Sequence, residues 1–547
     1  MISWMTPPAR CTDASFGPRQ LLAAFVAFFS IGLVVYGPAL SGSFISDDSL
    51  FLVDNPYVKG EGGASVAELW RPGSDAQFYS GGSYQPVTQT FHALEWRLFG
   101  RDTRYYHVVN LALHAVDTTL LVWLLCASAV PLRAALLAGA LFAFHPANVE
   151  VVAWISQSRS LLALGFALAA LLALERRALA SVPLFALALL SKGIAAFAIP
   201  MGAALLWAHR ERGRSRAPIA ALALWVVLFL AFAPLEMTGL STLKPPDAQP
   251  YGDFATQLRS IAAYGAHYLW MATSGTGLSA FHEPAPVRSW LDGWSLGGLA
   301  LAPFFLWRIA SGLLARRAEA AWWIGAAAAF VPISQIAPFF FPMADRYLYF
   351  ILPGLIGGSV IAGSAALARF GAAGAPRVVA AACAVWIALL AVHTYTRSFL
   401  WQSEDKLIRE AAQHYPDGMI GHYVAAIEAL ELGRYEQAIS DLRASMTRGA
   451  YVVRSFANDP ALADLKTNPQ FRKLALEMEG RRIAFARGLG ARDQFSLRSI
   501  ASGHYARGEL DLAIAALEEA LARGGPLQAE LEEVAAKLRR ERDAAQP

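Results

Sequence analysis

The sequence predicts an all-α polytopic membrane protein with a helical domain after its last span, and three observations carry that reading. Hydrophobic residues make up 56% of the 547 residues and charged ones only 16%, against about 25% charge in soluble domains. The apolar residues gather in long runs separated by short charged loops. From about Asp405 onward this reverses, and Arg, Glu, Asp and Lys become frequent. The expected division is a transmembrane domain over 1–400, with a large first outer loop at 41–106, and a helical domain over 401–547.

The first run, 21–40, follows Arg19 and reaches the length of about 20 residues that spans a bilayer. Further spans stand behind it, so it reads as a retained helix rather than a cleaved signal. Runs near 107–127, 134–147, 155–174, 178–191, 194–208, 217–236, 292–312, 320–338, 346–368 and 378–396 follow, for about eleven spans in all. Several are short, which implies tilt or thin walls. Arg133, Arg176-Arg177, Arg210/Arg212/Arg214/Arg216, Arg316-Arg317 and Arg369 with Arg377 mark the cytoplasmic side. The N-terminus is then cytoplasmic, and the outer face carries 41–106, 145–150, 191–193, 237–291, 341–347 and the tail. That scheme closes only if 258–271 lies along the interface, which suits Arg259, His267 and Trp270. The Ala/Arg/Gly-rich style points to a bacterial inner membrane with a periplasmic outer face.

In the tail, Tyr423 to Leu442 reads as two helices joined at Gly433, and His504 to Leu521 repeats the design around Gly508. Both have the spacing of a tetratricopeptide helix pair, with a degenerate unit or connector between them at 456–471. Such an array offers a concave surface to a polypeptide or other partner. An ordinary helical bundle is the plainer alternative, since two units fall short of the roughly three a self-sufficient array needs.

Net charge is +4, too mild and too loop-bound for a nucleic-acid partner. Cys11, Cys126 and Cys383 lie far apart and offer neither a disulfide framework nor a metal-binding pair.

The first outer loop opens with Ser46-Asp47-Asp48-Ser49, where two carboxylates meet the membrane surface. Adjacent acids repel, so one pKa should rise while the other group stays ionised. The pair suits a general base on a hydroxyl nucleophile or two ligands of a divalent metal, and a solvated turn or helix cap is the bland alternative. Tyr84-Gln85-Pro86 and Tyr106-His107-Val-Val-Asn110-Leu-Ala-Leu-His114 follow, in a loop too long and too aromatic for a mere connector. The second outer loop carries His145-Pro146 and Glu150, then Arg159. Ionisable groups at the membrane edge pair with one another or line a polar cavity. Lys192 stands at the next junction, where snorkelling competes with a functional role. Arg346, in Ala344-Asp345-Arg346-Tyr347-Leu-Tyr349, is suited to phosphate, with Asp345 its plain alternative partner.

Phe44-Ile-Ser-Asp47-Asp48, Asn55-Pro56, Tyr84-Gln85-Pro86, Tyr106 to His114, His145-Pro146 to Trp154, Leu190-Ser-Lys192 and Ala344 to Tyr349 occur in one order across 40–400, with repeats behind them. Together they resemble the transmembrane-and-tetratricopeptide-repeat (TMTC) proteins, within the GT-C glycosyltransferases that include the protein O-mannosyltransferases. The resemblance implies a GT-C-type membrane fold, an active site on the outer face and a polyprenyl-phosphate sugar as donor, transferred with inversion. It implies an acidic base in the first outer loop, here Asp48 or Asp47, and Arg346 on the lipid phosphate, with Arg159 and Lys192 as further cations. Glu150, His145, His107 and Tyr84 are further site candidates. The acceptor implied is a hydroxyl, Ser or Thr of an exported protein held by the tail. A lipid or polysaccharide acceptor and a non-enzymatic repeat scaffold are the alternatives. Two positions depart from the family pattern: Gln85 stands where Arg is usual, and Gly193 where Glu is usual.

Overall fold

The computed structural model describes residues 17–209, 216–240, 250–338, 341–371, 374–488, 490 and 492–545. Cys11, Arg210, Arg212, Arg214, the N-terminal residues 1–16 and part of the expected outer stretch 237–291 (241–249) lie outside the described residues. The chain folds as α1 (Pro18–Val35), α2 (Pro56–Lys59), α3 (Pro86–Phe99), α4 (Thr103–Ala127), α5 (Leu132–Ala143), α6 (Val149–Ala153), α7 (Ser158–Arg176) and α8 (Ala178–Ser191). Then come α9 (Ala198–Ala208), α10 (Ala217–Leu240), α11 (Phe254–Ser274), α12 (Gly293–Leu314), α13 (Glu319–Phe330), α14 (Leu348–Phe370) and α15 (Ala375–Ser398). The tail holds α16 (Glu404–His414), α17 (Met419–Glu431), α18 (Tyr435–Thr447), α19 (Pro469–Gly488), α20 (Gln494–Ala506), α21 (Leu510–Arg523) and α22 (Gln528–Ala545). Among the described residues there is no strand, only an isolated antiparallel bridge between His282 and Met343. The protein is all-α and an integral membrane protein.

Every apolar run of the sequence is a helix or helix pair, but not every one has the length of a span. Among the described residues seven helices, α1, α4, α7, α10, α12, α14 and α15, are long and apolar enough to cross a bilayer. An eighth crossing would be α5 with Pro146–Ala153, a pair bent by 51°. The residues expected as the second outer loop are therefore mostly helical. The runs at 178–191, 194–208 and 320–338 are short apolar helices. Helix α11, expected at the interface, is 21 residues long and keeps Phe254, Leu258 and Trp270 exposed. Small residues let neighbours approach closely: a Cβ added at Gly357 of α14 would lie 2.2 Å from the Trp322 ring of α13.

The loops expected on the outer face are built around α4, whose N-terminus is capped by Asp102 through the Arg104 N–H. His107, Asn110 and His114 fall at helical spacing on one face. His107 Nε2 meets the Gly42 carbonyl (3.2 Å), and Asn110 Nδ2 donates to the carbonyls of Trp154 (3.1 Å) and Ile155 (3.3 Å). His114 Nε2 meets the Ala143 carbonyl (3.0 Å) and Nδ1 the Tyr349 hydroxyl (2.9 Å). One helix face thus ties together the first loop, the α6 segment and α14. The first loop is itself helical. Asn55 caps α2 through the N–H groups of Tyr57 and Val58, and its amide donates to Phe51 O and Gln89 Oε1. Pro56 takes the first helical position, where its missing N–H costs nothing.

The tail helices α17 and α18 turn at Gly433 (φ +69°), and α20 and α21 at Gly508 (φ +75°). A left-handed residue at a helix end favours glycine. Phe456, Leu442 and Leu474 belong to one tail core, while Leu497, Leu517 and Leu531 belong to another. The tail leans on the first loop: Phe495 packs 4.8 Å from Phe78 and 5.9 Å from Tyr79, ring centre to ring centre. Nearby, a Cβ at Gly62 would collide with the Pro526 carbonyl at 2.2 Å.

Asn110→Ala removes two buried hydrogen bonds and leaves the Trp154 and Ile155 carbonyls to their backbone donors alone, at about 1–3 kcal/mol. The thermal unfolding midpoint of the detergent-solubilised protein is expected to fall by several degrees, with the helical circular-dichroism signal of the folded state unchanged.

Candidate functional site

Three cations and three carboxylates converge where the first loop meets α6, α7, α8 and α14. Arg346, in a 3-10 turn ahead of α14, donates Nη1 to Glu150 Oε1 (2.5 Å), and its backbone N–H goes to Glu150 Oε2 (2.7 Å). Its guanidinium also lies over the rings of Tyr347 (5.1 Å), Trp154 (5.6 Å) and Phe341 (5.8 Å). Arg159, at the start of α7, stacks 4.7 Å over Phe51 and stands 3.7 Å from Asp47. Lys192, just after α8, donates to Ser160 Oγ (2.9 Å) and sits 5.6 Å over Phe350. Lys192, Arg159 and Arg346 lie within one another's electrostatic reach, and Asp47 within that of both arginines.

The paired acids divide their labour differently from the leading expectation. Asp48, the first choice as base, is fully buried, and both its oxygens accept backbone N–H groups: Oδ2 from Ile45 (3.0 Å) and Oδ1 from Ser156 (2.8 Å). It fastens the first loop to the turn after α6. Asp47 carries the open carboxylate, with a side chain 46% exposed. Of the two, Asp47 is the one whose carboxylate pairs with Arg159. Burial pushes the Asp48 carboxyl up to about 7, against the two N–H bonds that favour its ionised form.

Other sequence expectations shift as well. Glu150 pairs with Arg346 and not with Arg159, while Asp345, the alternative partner for Arg346, faces away from it. Lys192 does not snorkel; its ammonium is held inside by Ser160. His145 bridges the Ala147 N–H and the Ala272 carbonyl, His107 serves α4 as described, and the Tyr84 hydroxyl donates to the Trp70 carbonyl (2.7 Å). These three candidates hold backbone in place and do not face the charge cluster. Among the described residues no three His, Cys, Asp or Glu side chains gather in the manner of a metal site.

A protein O-mannosyl-transferase of Caenorhabditis elegans is 31% identical over 179 residues, which is 31% of this chain and 26% of the worm protein. The protein O-mannosyl-transferase TMTC1 of Homo sapiens is 32% identical over 178 residues, 31% of this chain and 19% of its own length. TMTC1 of Drosophila melanogaster is 34% identical over 139 residues, 24% of this chain and 16% of its own. The chain is similar to TMTC-type protein O-mannosyl-transferases. The matched stretch is about a quarter or less of those relatives' length, so their activity does not pass to this chain by the match alone. No family model matches the chain, and no solved structure matches it.

The two departures from the TMTC pattern have structural sequels. Gln85 is buried, and its Oε1 has no hydrogen-bond partner among the described residues. At Gly193 the space is filled from elsewhere: an added Cβ would lie 3.3 Å from both Cγ and Oε1 of Glu236, on α10. Glu236 Oε2 accepts from the Tyr84 N–H (3.3 Å), and its charge reaches Lys192. An acid therefore does stand beside Lys192, supplied by another helix. Glu236 is not among the expected site residues, although a lone carboxylate closing an apolar run is the signal that finds such groups.

The raised Asp48 pKa fixes a sign for stability. Its neutral form is favoured by folding, so that contribution is complete below the ordinary value of 3.8 and is lost as pH rises to about 7. Asp48→Asn, neutral throughout, is expected to narrow the gap: the wild type's unfolding midpoint, relative to the variant, falls between about pH 4 and 7 and levels off above 7. Thermal scans of both proteins across that range measure it.

Proposed function

We propose that the chain is an integral-membrane glycosyltransferase that moves a sugar from a polyprenyl-phosphate donor to a hydroxyl of an exported protein. The observation that carries this reading is one open carboxylate, Asp47, beside three half-buried cations: Arg346 is closely paired with Glu150, while Arg159 meets Asp47 only at 3.7 Å and Lys192 is held by a hydroxyl with Glu236 nearby. Burying cations is costly, and at a membrane edge such groups are kept where an anion visits. The donor is amphipathic and anionic, so it reaches this place laterally from the bilayer with its phosphate among the three cations. The relatives' names make mannose the first sugar to test.

In the proposed step the acceptor oxygen attacks C1 of the sugar as Asp47 takes its proton. The bond from C1 to the phosphate oxygen breaks on the opposite side, which inverts the anomeric carbon. Charge rises on the departing polyprenyl phosphate, and fixed cations there lower the barrier. Asp48 keeps the loop that carries Asp47 in register. Glu236 stands behind Lys192 and sets the local charge. The site is proposed to face the periplasm of a bacterial inner membrane, with the tail on the same side holding the acceptor chain and raising its effective concentration.

The test is transfer of radiolabel from polyprenyl-phosphate mannose in membranes. Asp47→Asn is expected to lower the turnover rate by roughly 100-fold or more, as loss of a general base does, while the unfolding midpoint holds. Label on protein that survives Asp47→Asn would sink the assignment of the base. Label on lipid would replace the acceptor, and no label with any donor would favour a scaffold.

A further inference from the structure

Asp345, the residue before Arg346, points away from the charge cluster into a second buried network. Its Oδ1 accepts from His282 Nε2 (2.7 Å) and the Ser279 N–H (3.3 Å), and its Oδ2 from Arg397 Nη2 (3.2 Å). Arg397, in the last turn of α15, gives Nη1 to Glu410 Oε1 (3.1 Å) and to the Leu278 carbonyl (3.3 Å). Glu410 belongs to α16 of the tail, and its Oε2 accepts from Ser279 Oγ (3.2 Å) and the Ala280 N–H (3.0 Å). His282 Nδ1 meets the Tyr415 hydroxyl at 3.0 Å. Asp345, Arg397, Glu410, Ser279 and His282 are all buried. Glu283 continues the seam by accepting from the N–H groups of Met419 (2.5 Å) and Ile420 (3.0 Å) at the start of α17.

Arg397 is thus shared by one carboxylate from the turn that carries Arg346 and one from the tail. The turn Asp345–Tyr347 is gripped from two sides, by Glu150 on the Arg346 backbone N–H and by this network on the Asp345 side chain. Neutralising Glu410 leaves Arg397 with Asp345 and the Leu278 carbonyl alone and frees the donors of Ser279 and Ala280. Asp345 keeps its own donors, but two of them, Arg397 and Ser279, then lose their tie to the tail. A guanidinium that must meet a phosphate in a defined geometry loses affinity when its backbone moves by a fraction of an ångström.

We infer that Glu410 is a positioning residue: through Arg397 and Asp345 it holds Arg346 for the donor phosphate, so that a docked tail is a condition of donor binding. The inference rests on the assignment of Arg346 to that phosphate. It gives the tail a second task, distinct from holding an acceptor.

A double-mutant cycle on the full-length protein tests it, with binding of a polyprenyl phosphate without sugar as the readout, so that transfer is not needed. Glu410→Gln is expected to weaken binding about fivefold or more, and Arg346→Ala to weaken it further. In the Arg346→Ala background Glu410→Gln is expected to have no additional effect. Should Glu410→Gln fail to fold, Tyr415→Phe, which removes only the hydroxyl on His282, gives the same cycle with a smaller first step. Additive losses, or unchanged binding in the folded Glu410→Gln protein, would overturn the inference while leaving the donor site in place. A wild type that binds no polyprenyl phosphate would overturn the donor-site reading and this inference with it.

Discussion

Peptide groups outside regular helix cannot be left bare in a low-dielectric surrounding, and that constraint organises the outer half of this protein. Between α5 and α7 the backbone bends and changes helix type, and the carbonyls of Ala143, Trp154 and Ile155 each take a side-chain donor in addition to what the backbone and Tyr36 supply. The polar face of α4 answers them with His114 and Asn110, and His107 reaches across to Gly42. The bend is what brings Glu150 and Trp154 to Arg346, so the charge cluster exists because α4 can satisfy the bend. Asp48 works by the same rule from the other direction, accepting the Ser156 N–H.

The cluster and the tail network illustrate two uses of buried charge. Burial strengthens attraction between opposite charges and raises the cost of any that is unmatched. Around Arg397 the matches are close and numerous, which makes a rigid joint. Around Arg159 and Lys192 they are loose: one carboxylate at 3.7 Å and one hydroxyl. Looseness of that kind leaves attraction to spare for an incoming anion. Arg346 stands at the junction, close-paired through its own side chain and anchored through its neighbour's.

Much of this was legible in the sequence wherever the cause was local. Hydrophobic runs marked where the helices lie, and the glycines at 433 and 508 marked the tail turns. The motif residues Arg159, Lys192 and Arg346 do meet. What could not be read was direction and partnership. Sequence adjacency made Asp47 and Asp48 look equivalent, although only Asp47 pairs with Arg159. Glu150 and Arg346 are 196 positions apart, and Arg397 and Asp345 are 52 apart; no periodicity links such pairs. Gly193 looked like the loss of an acid because its replacement, Glu236, arrives from α10. Span number was hardest, since apolar composition does not separate a crossing from a bent or short helix.

The aromatic seam of Phe78, Tyr79 and Phe495, with Gly62 against Pro526, orders events in time. The first loop leaves the ribosome about 400 residues ahead of its tail partner, roughly 20 to 80 seconds at ordinary elongation rates. Throughout synthesis, then, that loop waits with an unfinished apolar edge. Its short helices and the Asn55 cap give it a shape of its own before α20 comes to cover it. That edge of the loop is closed only once α20 and the turn at Pro526 have been made, and a nascent chain stopped short of them leaves Phe78 and Tyr79 uncovered.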